Sequence, residues 1–430
     1  MNSLNPVPAT KDGPRIQRPG PPFVLRALNA VVVALDTLGL IAPIDEQSLY
    51  ASARRKTGLS DFGDERFREG VRQRIQGIER IDRLGSLLRF LGRTAIVRGL
   101  CNRCLIEQQI KEHPEILGVT IPRPLVVVGM GRTGTTLLQN LLAQDPASRP
   151  LLVWEADSPA RPRSSMRARG RDPRQRRAER WVWLLKHLYP QLAALHTLDA
   201  NGPQECALLF RNTFLLSSFL RPSGGKNVKF RDWLDSISEE RLEWAYREYH
   251  RQLQLLEWQR PAPGHWLLKW PGHLLALETL LKTLPEAVVV QTHRDPCRVI
   301  SSFCQLASHA AFFVSDERWE PIPRELVAMT VELLGRASEA RQRIPAGRIL
   351  DVHYRQLMAD PLGALRRIYD HFGYRYTDEF EKRARAWLEA HPRRERVQGY
   401  YDLEQFGLDR AEVEKAFVPY CEQYRVEPER

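Results

Sequence analysis

Leu125-Val126-Val127-Val128-Gly129-Met130-Gly131-Arg132-Thr133-Gly134-Thr135-Thr136-Leu137-Leu138 is the stretch that decides how this chain folds. Its unbroken Leu/Val run suits a parallel strand buried on both faces. Gly129, Gly131 and Gly134 let the backbone turn tightly and approach a ligand. A helix opening near Thr135 or Thr136 would aim its unbonded N–H groups and positive dipole end at that loop. Thr133, Thr135 and Thr136 add hydroxyls, and Arg132 adds a forked cation. Strand, loop and helix together predict a cradle for a phosphate-like anion.

The spacing from Gly129 to Gly134 matches the start of the G-x-x-x-x-G-K-[ST] loop, but Thr135 stands where the Lys belongs. In phosphotransferases that Lys serves the β- and γ-phosphates and the next hydroxyl serves Mg²⁺. No apolar run here ends in the Asp that would complete such a site. The loop therefore suits an anion that needs no metal, such as a 5′-phosphosulfate, and the expected metal complement is none.

A second strand-like run, Val288-Val289-Val290-Gln291-Thr292-His293, ends in Arg294-Asp295-Pro296 with Ser301 and Ser302 just beyond. A third, Trp266-Leu267-Leu268-Lys269, runs into Trp270-Pro271-Gly272-His273. Each places a cation at a strand end.

In this order the motifs resemble those of the PAPS-dependent sulfotransferases, in particular the bacterial broad branch, with features nearer the tyrosylprotein type than the cytosolic type. Arg132-Thr133-Gly134-Thr135-Thr136-Leu137 resembles the loop that holds the 5′ end of 3′-phosphoadenosine 5′-phosphosulfate (PAPS). Arg294 with Ser302, eight residues on, resembles the 3′-phosphate site, with Ser301 as the adjacent alternative. Lys269 resembles the family's Lys that reaches the bridging oxygen of the phosphosulfate, where a fixed cation offsets charge growing on the leaving group. Asp351-Val352-His353-Tyr354 resembles the strand and turn whose Tyr meets adenine. Leu403-Glu404 with Phe406-Gly407-Leu408 looks like the family's C-terminal tail. Arg393, Arg394 and Arg396 stand where the family often closes over the 3′-phosphate, and Arg394 is the one expected to bind there. The similarity runs over about residues 120–430. The sequence departs from the cytosolic branch at Leu137, where that branch has an aromatic stacked on adenine. It also lacks that branch's glycine-rich lid motif.

The resemblance implies transfer of a sulfonate group from PAPS to a hydroxyl acceptor by in-line displacement. That reaction needs a group to take the hydroxyl proton. Glu155, 23 residues beyond Arg132, lies at about the distance at which tyrosylprotein and several carbohydrate sulfotransferases place a catalytic Glu. His273, four residues after Lys269, is the other candidate, since the cytosolic branch uses a His two residues after its Lys. Glu205 could line the acceptor site or begin a helix. The competing classes are a P-loop phosphotransferase and a non-catalytic nucleotide-binding module.

The 430 residues are ample for a large core, and 43% hydrophobic content fits a globular protein. Six irregularly spaced cysteines make no disulfide framework, and Cys101-x-x-Cys104 has no second pair to complete a zinc site. The formal charge of +12 matches an anionic donor. No aromatic-basic motif or recognition helix accompanies it, so nucleic acid is not an expected partner.

The sequence predicts an α/β protein, a three-layer P-loop-like fold around a central parallel sheet, with a helical N-terminal extension. Residues 1–22 read as a disordered lead, 23–118 as the helical extension and 119–430 as the catalytic domain. The lead lacks the signal-peptide pattern, which predicts a cytoplasmic location. Phe23 to Leu40 is too short and too charged for a membrane span. An amphipathic helix there is compatible with peripheral membrane contact. Residues 159–180 hold nine arginines, followed by an apolar face at Trp181, Trp183, Leu184, Leu185 and Leu188. An apolar wall beside basic residues suits a lipid-like alcohol as acceptor. Neither the acceptor's identity nor the oligomeric state is legible.

Overall fold

The computed structural model describes residues 23–79, 85–162, 171–188, 199–215, 237–310, 321–392 and 402–429. The lead 1–22, much of the arginine-rich stretch, and Arg393, Arg394 and Arg396 lie outside these residues.

Four helices come first: α1 (Phe23–Thr37), α2 (Glu46–Thr57), α3 (Phe67–Glu79) and α4 (Gly85–Glu112). Then follow β1 (Leu125–Gly129), α5 (Thr135–Leu142), β2 (Ser148–Pro150), α6 (Val153–Asp157), α7 (Pro173–Leu188), α8 (Ala207–Phe210) and α9 (Glu239–Gln259). β3 (His265–Lys269) leads through a 3₁₀ turn at Pro271–Ala276 into α10 (Leu277–Thr283). The chain continues through β4 (Val288–His293), α11 (Pro296–Ala310), α12 (Ile322–Arg341) and β5 (Ile349–His353). It ends in α13 (Tyr354–Ala359), α14 (Pro361–Phe372), α15 (Asp378–Ala390) and α16 (Arg410–Tyr424).

The five strands form one sheet in the order β2-β3-β1-β4-β5, and all four pairings are parallel. β1 lies at the centre and every residue of β1 and β3 is buried, as strands covered on both faces require. Helices therefore pack on both sides. One face shares its core with the N-terminal helices: Leu49, Phe67, Val71, Ile96 and Leu100 pack in the same cluster as Val126, Val128, Leu268 and Val289. The other face, carrying Val127, Leu267, Val290 and Val352, packs against α5, α14 and α15 through Leu138, Leu141, Leu365, Ile368 and Phe380. A buried guanidinium ties the extension down: Arg103 of α4 donates to the carbonyls of Phe62 and Asn212 and pairs with Glu248 of α9 at 3.1 Å.

Because the strands are parallel, Gly129, Lys269 and His293 end them on the same edge of the sheet. The chain runs from β1 outward to β2 and β3 on one side, then crosses to β4 and β5 on the other. Open α/β sheets bind ligands in the crevice at such a reversal, beyond the carboxyl ends of the strands.

Candidate functional site

β1 turns into its loop through two backbone conformations with positive φ that the sequence supports. Gly129 sits at φ 129, and a Cβ there would lie 2.2 Å from Thr292 Oγ1. Gly134 caps α5 at φ 91, with Tyr354 and Leu357 closing in on it. Leu138 N already bonds Gly134 O, so the N–H groups of Thr135, Thr136 and Leu137 open toward the loop. Arg132 takes a left-handed φ of 70. Thr133 is used differently from expectation. It is buried, its hydroxyl donates to Met130 O at 2.5 Å, and it meets Thr292 Oγ1 at 2.6 Å. It fastens the loop to β4 rather than facing outward. Thr136 is exposed at the helix start, while Thr135 is buried. Leu137 packs at the edge of the core behind α5.

The structure brings the two expected phosphate sites together. Arg132 Nε donates to Ser302 Oγ of α11 at 2.7 Å. Arg294 Nη1 donates to Arg132 O at 3.0 Å, and its guanidinium lies 3.9 Å over the Tyr354 ring. Residues 132, 294, 302 and 354 thus form one constellation at the carboxyl edge of β1, β4 and β5.

Arg294 also holds an anion. Its Nε and Nη2 each donate to the Glu429 carboxylate at 2.8 Å, a bidentate fork. The segment carrying Glu429 is docked by its own bonds. Glu429 N donates to Asp295 Oδ2, Arg298 donates to Glu429 O, and Arg355 pairs with Glu427. A carboxylate of the chain thus rests where the sequence places a phosphate.

Lys269 closes the other side. Its side chain is 4% exposed, and Nζ donates to Thr136 Oγ1 at 3.4 Å and to the Glu205 carboxylate. The segment before α8 delivers Glu205. Gln204 N bonds Leu151 O, Cys206 N bonds Lys269 O, and Gln139 Nε2 bonds Gln204 O. These bonds run between parts of the chain more than 50 residues apart, and no local pattern announces them.

Both expected bases are enclosed. Glu155 is buried and accepts two hydrogen bonds from Arg149, two from Arg260 and one from Leu152 N, all at 3.0–3.1 Å. Burial lowers the Arg149 pKa to about 10, against the raising effect of Glu155. Glu155 is thereby an ion-pair partner at the foot of α6, with its oxygens already occupied by donors. His273 is fully buried among Phe210, Tyr246, Tyr249 and Trp270, and its Nδ1 meets Tyr246 Oη at 2.8 Å. Desolvation pushes its pKa down to about 3, so it is neutral within the aromatic core. Among the described residues no group of three or more His, Cys, Asp or Glu gathers in a way that could hold a metal ion.

The profile of the sulfotransferase family matches residues 124–378. The omega-hydroxy-beta-dihydromenaquinone-9 sulfotransferase Stf3 of Mycobacterium tuberculosis, and its Mycobacterium bovis counterpart, are 24% identical over 314 residues, 71% of this chain and 75% of theirs. The crystal structure of sulfotransferase STF9 from Mycobacterium avium superposes with a TM-score of 0.77 at 28% identity, covering 90% of this chain and 98% of that one. STF1 from M. tuberculosis gives 0.69 at 29% identity, covering 87% and 98%.

Proposed function

The chain belongs to the sulfotransferase family, and from that premise we propose that the constellation at the carboxyl edge of its sheet holds PAPS and passes the sulfonate group to the hydroxyl of a lipid-like alcohol. The enzyme is a PAPS-dependent O-sulfotransferase of α/β fold. The observation that carries the site reading is the anion already forked on Arg294 beside the glycine loop. A carboxylate held there by two charge-assisted hydrogen bonds marks a place built for a negative oxygen group.

In this reading Arg294 and Ser302 take the 3′-phosphate, and Tyr354 flanks the nucleotide. The amides at the start of α5, with Thr135, Thr136 and Arg132, take the 5′ end. Arg394 supplies a further cation for the 3′-phosphate. Lys269 supplies a fixed positive charge beside the loop, where the departing phosphate gains charge. The donor contributes an activated sulfonate; the chain's residues orient it and offset the charge of the leaving group.

The lipid-like acceptor rests on the outer surface as well as on the relative named for a menaquinone derivative. Phe23, Val31 and Leu38 on and after α1, Phe90 and Leu91 on α4, and Trp181 and Trp183 on α7 are all exposed. Asp157 links α4 and α7 by pairing with Arg98 of the first and Arg177 of the second. Apolar side chains interspersed with arginines suit the interface of an anionic bilayer. No described helix is long and apolar enough to cross a membrane.

The test is transfer of labelled sulfonate from PAPS to a long-chain isoprenoid alcohol in anionic vesicles, against a sugar and a peptide tyrosine. Faster labelling of the vesicle-borne alcohol supports the reading. Labelling of the water-soluble acceptors alone would remove the lipid part and keep the sulfotransferase.

A further inference from the structure

We infer that Glu205, rather than Glu155 or His273, is the catalytic base that takes the acceptor's proton. The inference deepens the sulfotransferase reading and rests on it. Three observations carry it. First, Glu205 is fixed at the right place. Its neighbours Gln204 and Cys206 are bonded to the chain leaving β2 and to the end of β3, so the carboxylate is held against Lys269 by backbone bonds on both sides. Second, Lys269 Nζ touches both the loop hydroxyl of Thr136 and the Glu205 carboxylate. One ammonium therefore separates the loop that would hold the leaving phosphate from the carboxylate. Third, Glu205 can be reached. Its side chain is 36% exposed, whereas Glu155 is 2% exposed with five donors upon it and His273 is sealed by aromatic rings. Glu205 Oε1 takes the bond from Lys269, and Oε2 has no hydrogen-bond partner among the described residues.

The step balances without any further reactant. The acceptor oxygen forms a bond to sulfur as the bond from sulfur to the bridging phosphate oxygen breaks. The hydroxyl proton passes to Glu205 Oε2, and the electron pair of the broken bond stays on the phosphate, facing Lys269. Glu205 then returns its proton to water through its exposed side. Lys269 holds the carboxylate aimed between turnovers through its hydrogen bond to Oε1. A positioned base of this kind is worth about 10²- to 10⁴-fold in rate.

The experiment compares wild type, Glu205→Gln and Glu205→Asp. Hydrolysis of PAPS, for which water is the acceptor, is followed beside transfer to geranylgeraniol in detergent micelles and to 4-nitrophenol. Binding of 3′-phosphoadenosine 5′-phosphate is measured by calorimetry. The expected result for Glu205→Gln is a fall in kcat of about 10²-fold or more. Nucleotide affinity should stay within about twofold, with partial recovery in Glu205→Asp. The loss should shrink with 4-nitrophenol, whose acidic hydroxyl needs less help. A kcat within about threefold of wild type for all acceptors overturns the assignment. So does a loss carried wholly by nucleotide affinity, which would make Glu205 a positioning partner of Lys269. Failure of the wild type to prefer the 3′-phosphorylated nucleotide would instead sink the sulfotransferase site itself.

Discussion

Arg132 donates through Nε to Ser302 Oγ across 2.7 Å, a bond that joins the glycine loop after β1 to the helix after β4. The two residues are 170 positions apart, and the family resemblance assigns them to opposite ends of the nucleotide. In the fold they share one hydrogen bond. Arg294 reinforces the link by donating to the backbone carbonyl of Arg132. The residues proposed for the 5′ and 3′ ends of the nucleotide are therefore joined to one another by hydrogen bonds.

Ser302→Ala should accordingly weaken both ends of the nucleotide. A lost hydrogen bond to a charged group is worth about 1.5–3 kcal/mol at most, so affinity for 3′-phosphoadenosine 5′-phosphate should fall roughly 10-fold or more. Binding of 5′-AMP, which lacks the 3′-phosphate, should weaken too. Titration calorimetry of both nucleotides checks this; an unchanged affinity for 5′-AMP would confine Ser302 to the 3′ end.

In the proposed site Glu429 takes the Arg294 donors that a 3′-phosphate would use. Its carboxylate takes two of the guanidinium's donors, while Asp295 and Arg298 hold its backbone in place. Removing the charge with Glu429→Gln should raise affinity for the 3′-phosphorylated nucleotide by roughly three- to tenfold, equivalent to about 0.6–1.4 kcal/mol. The same variant should leave 5′-AMP binding unchanged. Weaker binding in Glu429→Gln would mean that the carboxylate orients Arg294 rather than blocking it.

Glu155→Gln should cost stability before it costs chemistry. Arg149 is completely buried, and its charge is balanced by Glu155 while its plane stacks 3.7 Å from the centroid of Trp266. Breaking a buried pair by removing one partner costs about 3–5 kcal/mol. Urea denaturation followed by tryptophan fluorescence should show that loss, with the folded fraction keeping most of its turnover. A variant as stable as wild type but without turnover would restore Glu155 as the base.

His273 makes the protein sensitive to acid. Its imidazole is held neutral, with a folded pKa of about 3 against 6.5 when unfolded. The folded value is depressed, so only the unfolded chain binds the proton between these limits. The stability is complete above pH 6.5 and is lost progressively as the pH falls toward 3. The total is about 5 kcal/mol. Unfolding free energies between pH 7 and pH 4 should fall less steeply in His273→Gln than in wild type. Parallel slopes for the two proteins would contradict the assignment.

The chain displayed its sheet openly and its ion pairs hardly at all. β1, β3 and β4 are legible because strands buried on both faces must be apolar throughout, and their polar ends mark where the site begins. The glycine loop is legible because Gly129 and Gly134 answer steric demands that arise within a few residues. β2 is three residues long and carries Arg149, so neither length nor periodicity reveals it. Partners of Glu155 and Arg294 also come from far along the chain: Arg260 is 105 residues from the first and Glu429 is 135 from the second. Glu155 and His273 stood at spacings that the family resemblance favoured, yet spacing does not report burial. Glu205 gave only a weak signal, a carboxylate in a Gly-Pro segment, because what distinguishes it is the backbone bonding of its neighbours to β3 and to the chain after β2.

The most direct measurement is calorimetric binding of 3′-phosphoadenosine 5′-phosphate against 5′-AMP, without Mg²⁺, to wild type and to Arg294→Ala. The account predicts a clear preference for the 3′-phosphorylated nucleotide in the wild type. It predicts that Arg294→Ala loses that preference while still binding 5′-AMP through the glycine loop. Equal affinity for the two nucleotides in the wild type, or a preference that survives in Arg294→Ala, would contradict it.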